Sequence, residues 1–108
     1  MIRIDIAKDY SYTPGPRLKT EGDFSGELFR ETILLPAVRE AVARNDRILV
    51  DLDGTSGFGT SFLEESFGGL IRNDKIDDVA LKTLLTLQSL EEPWLVDEVW
   101  GYINDASR

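Results

Sequence analysis

The stretch from Arg47 to Ile71 does most to constrain what this chain can fold into. Ile48, Leu49, Val50 and Leu52 form an apolar run with little alternation, the pattern of a central strand covered on both faces. Gly54-Thr55-Ser56-Gly57-Phe58-Gly59 follows, a loop with three glycines in six residues. Ser61, with Glu64 three residues later, then reads as a capping box. Phe62, Leu63, Phe67, Leu70 and Ile71 supply the buried face of the helix it would open. Strand, glycine loop and helix in succession make the repeating unit of an α/β sheet. Period-two geometry puts Leu49, Asp51 and Asp53 on one face. Both acids therefore fall at the strand's C-terminal end, where α/β folds place their sites.

The rest of the chain fits the same class. Ile2, Ile4 and Ile6 alternate with Arg3 and Asp5, predicting a half-buried strand over 2–7. Residues 9–23 are turn-rich, with a short strand expected around 17–20. A helix is expected from Ser25, capped by its hydroxyl, with Phe24 and Phe29 spaced as a hydrophobic staple. Pro36 should kink it or split it in two, and Asn45-Asp46 should end it. Gly68-Gly69 is costly inside a helix and reads as a close approach of that helix to the sheet. Val79–Gln88 reads as a strand, with a leucine pattern that also suits a helix. Pro93 opens the last helix, with Leu95, Val99, Tyr102 or Ile103, and Ala106 as its stripe. The expectation is one small domain over 1–108, with about four strands and helices packed against the sheet.

Composition narrows the chemistry. The 108 residues include no histidine and no cysteine. That excludes zinc sites built from those ligands, Ser-His-Asp and Cys-His nucleophiles, and disulfide frameworks. Carboxylates, Lys, Arg, Tyr and hydroxyls remain. Twelve basic residues against twenty acidic ones leave a net charge of −8, which argues against nucleic acid as a partner, because phosphate affinity comes from clustered Lys and Arg. The longest apolar runs, such as Ile33 to Val38, fall far short of the roughly 20 residues of a spanning helix. Met1-Ile2-Arg3-Ile4-Asp5 alternates instead of forming an apolar leader. The expectation is a cytoplasmic protein without a membrane partner.

Val50-Asp51-Leu52-Asp53-Gly54-Thr55 resembles the first motif of the haloacid dehalogenase-type phosphatases. That resemblance would make Asp51 a nucleophile and Asp53 a general acid/base, with Mg²⁺ between phosphate and carboxylates. In that family the motif lies near the N-terminus; here about half the chain precedes it, and only the residues after Thr55 remain to supply the other motifs. The alternative is that both acids accept hydrogen bonds from loop N–H groups and fix the glycine turn. No Gly-x-x-x-x-Gly-Lys-Ser/Thr is present for a nucleotide-binding reading.

A second resemblance spans most of the chain. Leu49 to Leu63 is similar to the central strand, loop and helix of STAS domains, the sulfate-transporter and anti-sigma-factor-antagonist modules. The nearer likeness is to a STAS-like family of unassigned function. It rests on Pro14-Gly15-Pro16-Arg17 with Glu21 to Glu27, on Leu34-Leu35-Pro36-Ala37, and above all on Asp51 to Leu70. It implies a regulatory protein–protein interaction module without a cofactor and not an enzyme. The implied partner is a histidine-kinase-like ATPase or related regulator. Anti-sigma antagonists are phosphorylated at the first hydroxyl of Asp-Ser-Ser-Gly. By position, Thr60 and Ser61 are the phosphorylation candidates, and Asp53, Thr55, Ser56, Phe58, Thr60, Arg17 and Glu21 the partner-binding ones. Gly59 stands where the family has aspartate, and Phe62 where it has glycine. Glu64 and Glu65 place negative charge near a phosphate.

Each of these residues also has a plainer reading. Thr60 and Ser61 can be capping residues only. Arg17, Glu21 and Asp23 can be a solvated loop. Phe58 can be a partner anchor or can fold onto the core. Of Trp94 and Trp100, six apart on the last helix, one belongs to the core and the other is free to be a surface anchor for a partner or for a second copy of the chain. Asp77-Asp78 reads as a solvated turn.

Overall fold

A computed structural model describes residues 1–108. Three strands, β1 (Ile2–Asp5), β2 (Ile48–Asp51) and β3 (Leu85–Gln88), form a parallel sheet in the order β1-β2-β3. The fourth strand expected around residues 17–20 does not form. Lys19–Glu21 is a 3₁₀ turn there, closed by the Glu21 carboxylate on the Leu18 N–H at 2.9 Å. The expected strand over 79–88 is also shorter. Its first half is helix α6 (Asp78–Leu84), and only Leu85–Gln88 is strand. Asp77 caps α6 by accepting from the Ala80 N–H, so it is not a free turn residue.

Strand register explains the layering. Ile2, Ile48 and Leu85 lie side by side, as do Ile4, Val50 and Leu87. These rows point into the core with Leu52. Successive right-handed crossovers moving in one direction put every connecting helix on the same face of the sheet. The opposite face carries the row Arg3, Leu49 and Thr86. Arg3 and Thr86 are exposed, while Leu49 between them is buried, though outside the main core cluster. The connecting helices thus lie on one side of the sheet, yet β2 is buried along both faces at Ile48, Leu49 and Val50, as expected of the central strand.

Both long helical runs change hydrogen-bond register part-way. After the separate four-residue helix α1 (Ile6–Asp9), the first run is α2 (Gly26–Phe29), a π turn (Arg30–Leu34) and α3 (Leu35–Arg44). Ser25 caps α2 by accepting from the Leu28 N–H at 3.0 Å, as its position predicts. The Leu35 N–H reaches back five residues to the Arg30 carbonyl. This widened turn sits immediately before Pro36, which has no N–H to donate. The predicted break is thus a shift of register rather than a gap. Asn45 ends the run in the left-handed conformation, φ 51°. The second run is α4 (Thr60–Leu63), a π turn (Glu64–Gly68) and α5 (Gly69–Arg72). Helix α7 (Trp94–Ala106) buries Leu95, Val99 and Ile103. No helix is long and apolar enough to cross a membrane.

Phe24 and Phe29 do not staple directly. Tyr10 lies between them, with ring centroids 5.8 Å from Phe24 and 5.1 Å from Phe29. The two helical runs cross at Gly26, where an added Cβ would lie 2.6 Å from the Phe62 carbonyl oxygen and 3.1 Å from the Phe62 Cα. Both neighbours are backbone, so neither can swing away. Gly26→Ala is expected to lose about 1–3 kcal/mol by overpacking, read as a lower urea midpoint at unchanged slope.

Candidate functional site

The loops at the C-terminal ends of β2 and β3 hold each other through side chains. Asp51 accepts from the Asp53 N–H at 2.9 Å, closing the turn out of β2. The Asp53 carboxylate accepts three bonds from the loop after β3: the Ser89 hydroxyl at 2.7 Å, the Leu90 N–H at 2.8 Å and the Glu91 N–H at 3.2 Å. Glu91 returns the contact by accepting from the Gly54 N–H at 2.8 Å. Desolvation works against the Asp53 anion, but the Leu90 N–H, the Ser89 hydroxyl and the Glu91 N–H outweigh it and hold the carboxyl below its ordinary 3.8.

A carboxyl with a depressed folded value contributes stability above its unfolded value and loses it as pH falls through the folded one. The wild-type chain should therefore lose stability progressively below pH 3.8. Asp53→Asn should start less stable at neutral pH and show a shallower acid-side decline in urea midpoint. Parallel curves for the two proteins would contradict this role.

Between these loops is a cleft of about 10 Å³, lined among others by Asp53, Thr55, Phe58, Ser89 and Glu91. That is room for a single water. The loop itself turns at Gly54, φ 90°, and Gly57, φ 129°, a conformation that favours glycine. Thr55 accepts from the Gly57 N–H at 3.2 Å, and the exposed Ser56 donates its N–H to the Tyr12 carbonyl at 2.8 Å. Phe58 is half-buried, its ring 5.8 Å from that of Phe62, and it packs on the core.

The start of α4 differs from the expected capping box. Gly59 is the N-cap and no side chain caps the helix. Thr60 is already the first helical residue and is exposed; Ser61 is half-buried. Ser61 therefore is not the cap. Glu64 is unavailable to complete a box because it is drawn to Arg17 and Arg72, the latter at 2.7 Å. These partners, Arg72 ahead of Arg17, overcome partial burial and hold the Glu64 carboxyl below its usual range.

Behind Glu64 lies a charge network that sequence reasoning missed. Arg30 is 4% exposed and bonds through all three guanidinium nitrogens. Nε donates to the Glu65 carbonyl at 3.1 Å, one terminal nitrogen to the Glu65 carboxylate at 2.9 Å, and the other to Asp74 at 2.7 Å. Glu65 also meets Arg17 at 3.2 Å. Arg30 and Glu65 each begin or sit within a π turn. Gly69 leaves the space, since a Cβ there would lie 2.5 Å from the Arg30 Nε. At Gly68 the neighbours are Glu64 and the Tyr102 carbonyl. The glycine pair thus marks a close approach, but to Arg30, Glu64 and α7 instead of the sheet.

A family model described as a STAS-like domain of unknown function (DUF4325) matches residues 25–94. The chain belongs to this STAS-like family. The match runs from the Ser25 cap of α2 to the first residue of α7, so it takes in β2, β3, both π turns and the 54–61 loop. No curated protein and no solved structure matches the chain.

Within the STAS-like domain, the sequence-selected residues divide into three groups. Asp53, Thr55, Ser56 and Phe58 lie together in the loop after β2, followed directly by Thr60 and Ser61 on α4. Arg17 reaches the second helical run at Glu64 and Glu65, three to five residues beyond that pair. Glu21 turns back on its own 3₁₀ turn. The signals that pointed to the missed network were the Glu64-Glu65 pair and the adjacent Gly68-Gly69.

Proposed function

We propose that this STAS-like domain is a regulatory interaction module of the anti-sigma-factor-antagonist type, working in the cytoplasm and not as an enzyme. The Gly54–Ser61 loop and the first turn of α4 form its contact surface, and a phosphate on Thr60 or Ser61 switches the contact. The partner is a histidine-kinase-like ATPase or a related regulator. The observation that carries this reading is that neither hydroxyl is tied up in capping α4, with Thr60 exposed at its first residue. The objection from Glu64 and Glu65 loses force, since Arg17, Arg30 and Arg72 neutralise them. A phosphate at the first turn also meets open backbone N–H groups.

The Mg²⁺-dependent phosphatase reading would require Asp53 to release Ser89, Leu90 and Glu91 before it could act on substrate. The chain is accordingly expected to show no Mg²⁺-dependent turnover of a generic phosphate ester that Asp51→Asn abolishes. The switch reading is tested by mass spectrometry of the chain incubated with ATP and a candidate kinase of that ATPase fold. Phosphate confined to the peptide bearing Thr60 and Ser61 is the expected result. Undiminished phosphorylation of the Thr60→Ala/Ser61→Ala chain rejects the site.

A further inference from the structure

The turn from β3 into α7 presents two large apolar side chains to solvent. Leu90 is 81% exposed and Trp94 is 62% exposed. Single exposed apolar residues are ordinary, and Val79 on α6 is one of them. Leu90 and Trp94 differ in their setting. Asp53 accepts from the Leu90 N–H, and the Ser89 hydroxyl accepts from the Glu92 N–H at 3.0 Å, so the backbone of the turn is tied to the loop after β2. Leu95, next to Trp94, is buried and lines the cleft shared with Phe58. The exposed pair therefore lies beside the 54–58 loop on a common scaffold. The other tryptophan, Trp100, packs against the core.

The segment that carries the pair is acidic. From Thr83 to Ser107 there is no Lys or Arg, and there are five acids: Glu91, Glu92, Asp97, Glu98 and Asp105; Lys82, beside Trp100 and Asn104 of α7, is paired with Asp78. Glu91 and Asp97 are exposed. A second copy docking by the same surface would meet its own acidic segment and be repelled, as would an anionic lipid surface or nucleic acid.

We infer that Leu90 and Trp94 form the apolar anchor of the docking surface, and that they fit a protein partner offering an apolar pocket rimmed by Lys and Arg. This rests on the reading of the chain as an interaction module and adds to the 54–61 loop a second contact and the chemistry of the partner. A desolvated tryptophan in a pocket is the usual centre of such an interface. The acidic rim contributes mainly to encounter rate and partner choice.

The test uses the intact chain and a labelled amphipathic helical peptide of leucine and lysine, followed by fluorescence anisotropy. Its leucine–glutamate counterpart, phosphatidylglycerol vesicles and a dilution series of the chain itself are the comparison arms. The lysine peptide is expected to bind saturably and more weakly as salt rises. Trp94→Ala and Leu90→Ala should each weaken binding by about tenfold, while Val79→Ala leaves it unchanged. Both anchor residues are exposed, so these variants keep the fold. Binding that survives both substitutions overturns the assignment, as does equal binding of the glutamate peptide. Vesicle binding or self-association that depends on Trp94 overturns it in favour of another occupant. The phosphorylation test reads the loop alone: a chain phosphorylated at Thr60 or Ser61 whose Trp94→Ala variant binds normally keeps the loop and loses the anchor.

Discussion

Arg30→Met is expected to destabilise the STAS-like domain by about 3–5 kcal/mol, a large share of the roughly 5–15 kcal/mol available to a domain of this kind. The physical reason is asymmetry. Taking a guanidinium out of water is costly, and burial on its own would lower the Arg30 value. Asp74 and Glu65 reverse that and raise it. Once the arginine is gone, the Glu65 carboxylate remains at 7% exposure, and its own carbonyl loses a donor. Arg17 at 3.2 Å and Arg72 at 3.6 Å still face Glu65 and keep the cost from rising further. Arg30→Met/Glu65→Gln removes the stranded charge with its partner, so it should recover a substantial part of the loss. Urea midpoints of the four proteins complete the cycle. A loss for Arg30→Met below about 1 kcal/mol would place Arg30 among ordinary surface arginines.

That buried network also shows where sequence reasoning stops. Arg30 falls between Phe29 and Glu31, and a hydrophobic pattern counts apolar residues alone, so it carries no mark of an arginine on the buried face. What makes Arg30 a core residue is Glu65 and Asp74, 35 and 44 residues away. Partners at that distance leave no local trace. The same limit misassigned Ser61. Its capping box is correct as a pattern, yet Glu64 has better partners in Arg17 and Arg72 than the backbone can offer. Long-range ion pairs outrank a local motif, and they are invisible along the chain. β2, the glycine loop, the Ser25 cap and the α7 stripe were legible because each depends on neighbouring residues alone. The missing fourth strand follows from how many strands pair, and residues 17–20 carry no signal of that. Asp51 and Asp53 were correctly placed at the end of β2. What Asp53 holds there, the 89–91 turn, lies more than thirty residues away.

Phe62→Ala should join stability to the candidate site more directly than any other single change. Phe62 is fully buried, and its ring stands 5.8 Å from Phe29, 6.3 Å from Tyr10 and 5.8 Å from Phe58. Removing it forfeits the transfer energy of the ring and leaves a cavity, about 3–5 kcal/mol together. The main chain cannot collapse inward to fill that space, because the Phe62 carbonyl and Cα already abut Gly26. Phe58 bears the consequence for the site. It is the one side chain that draws the 54–59 loop toward the core, and Phe62 is the ring it packs on. Hydrogen exchange should therefore separate two effects. Protection in β2 should fall only as far as global stability falls, while the Ser56 and Gly57 N–H groups, bonded to the Tyr12 carbonyl and the Thr55 hydroxyl, should lose more than that. Phe62→Leu keeps most of the buried volume and should restore β2 protection more fully than loop protection, since a leucine side chain offers Phe58 no ring to stack on. If loop and strand amides instead decline in parallel in both variants, Phe58 does not anchor the loop, and the order of the proposed contact surface must come from the Asp53–Glu91 clasp alone.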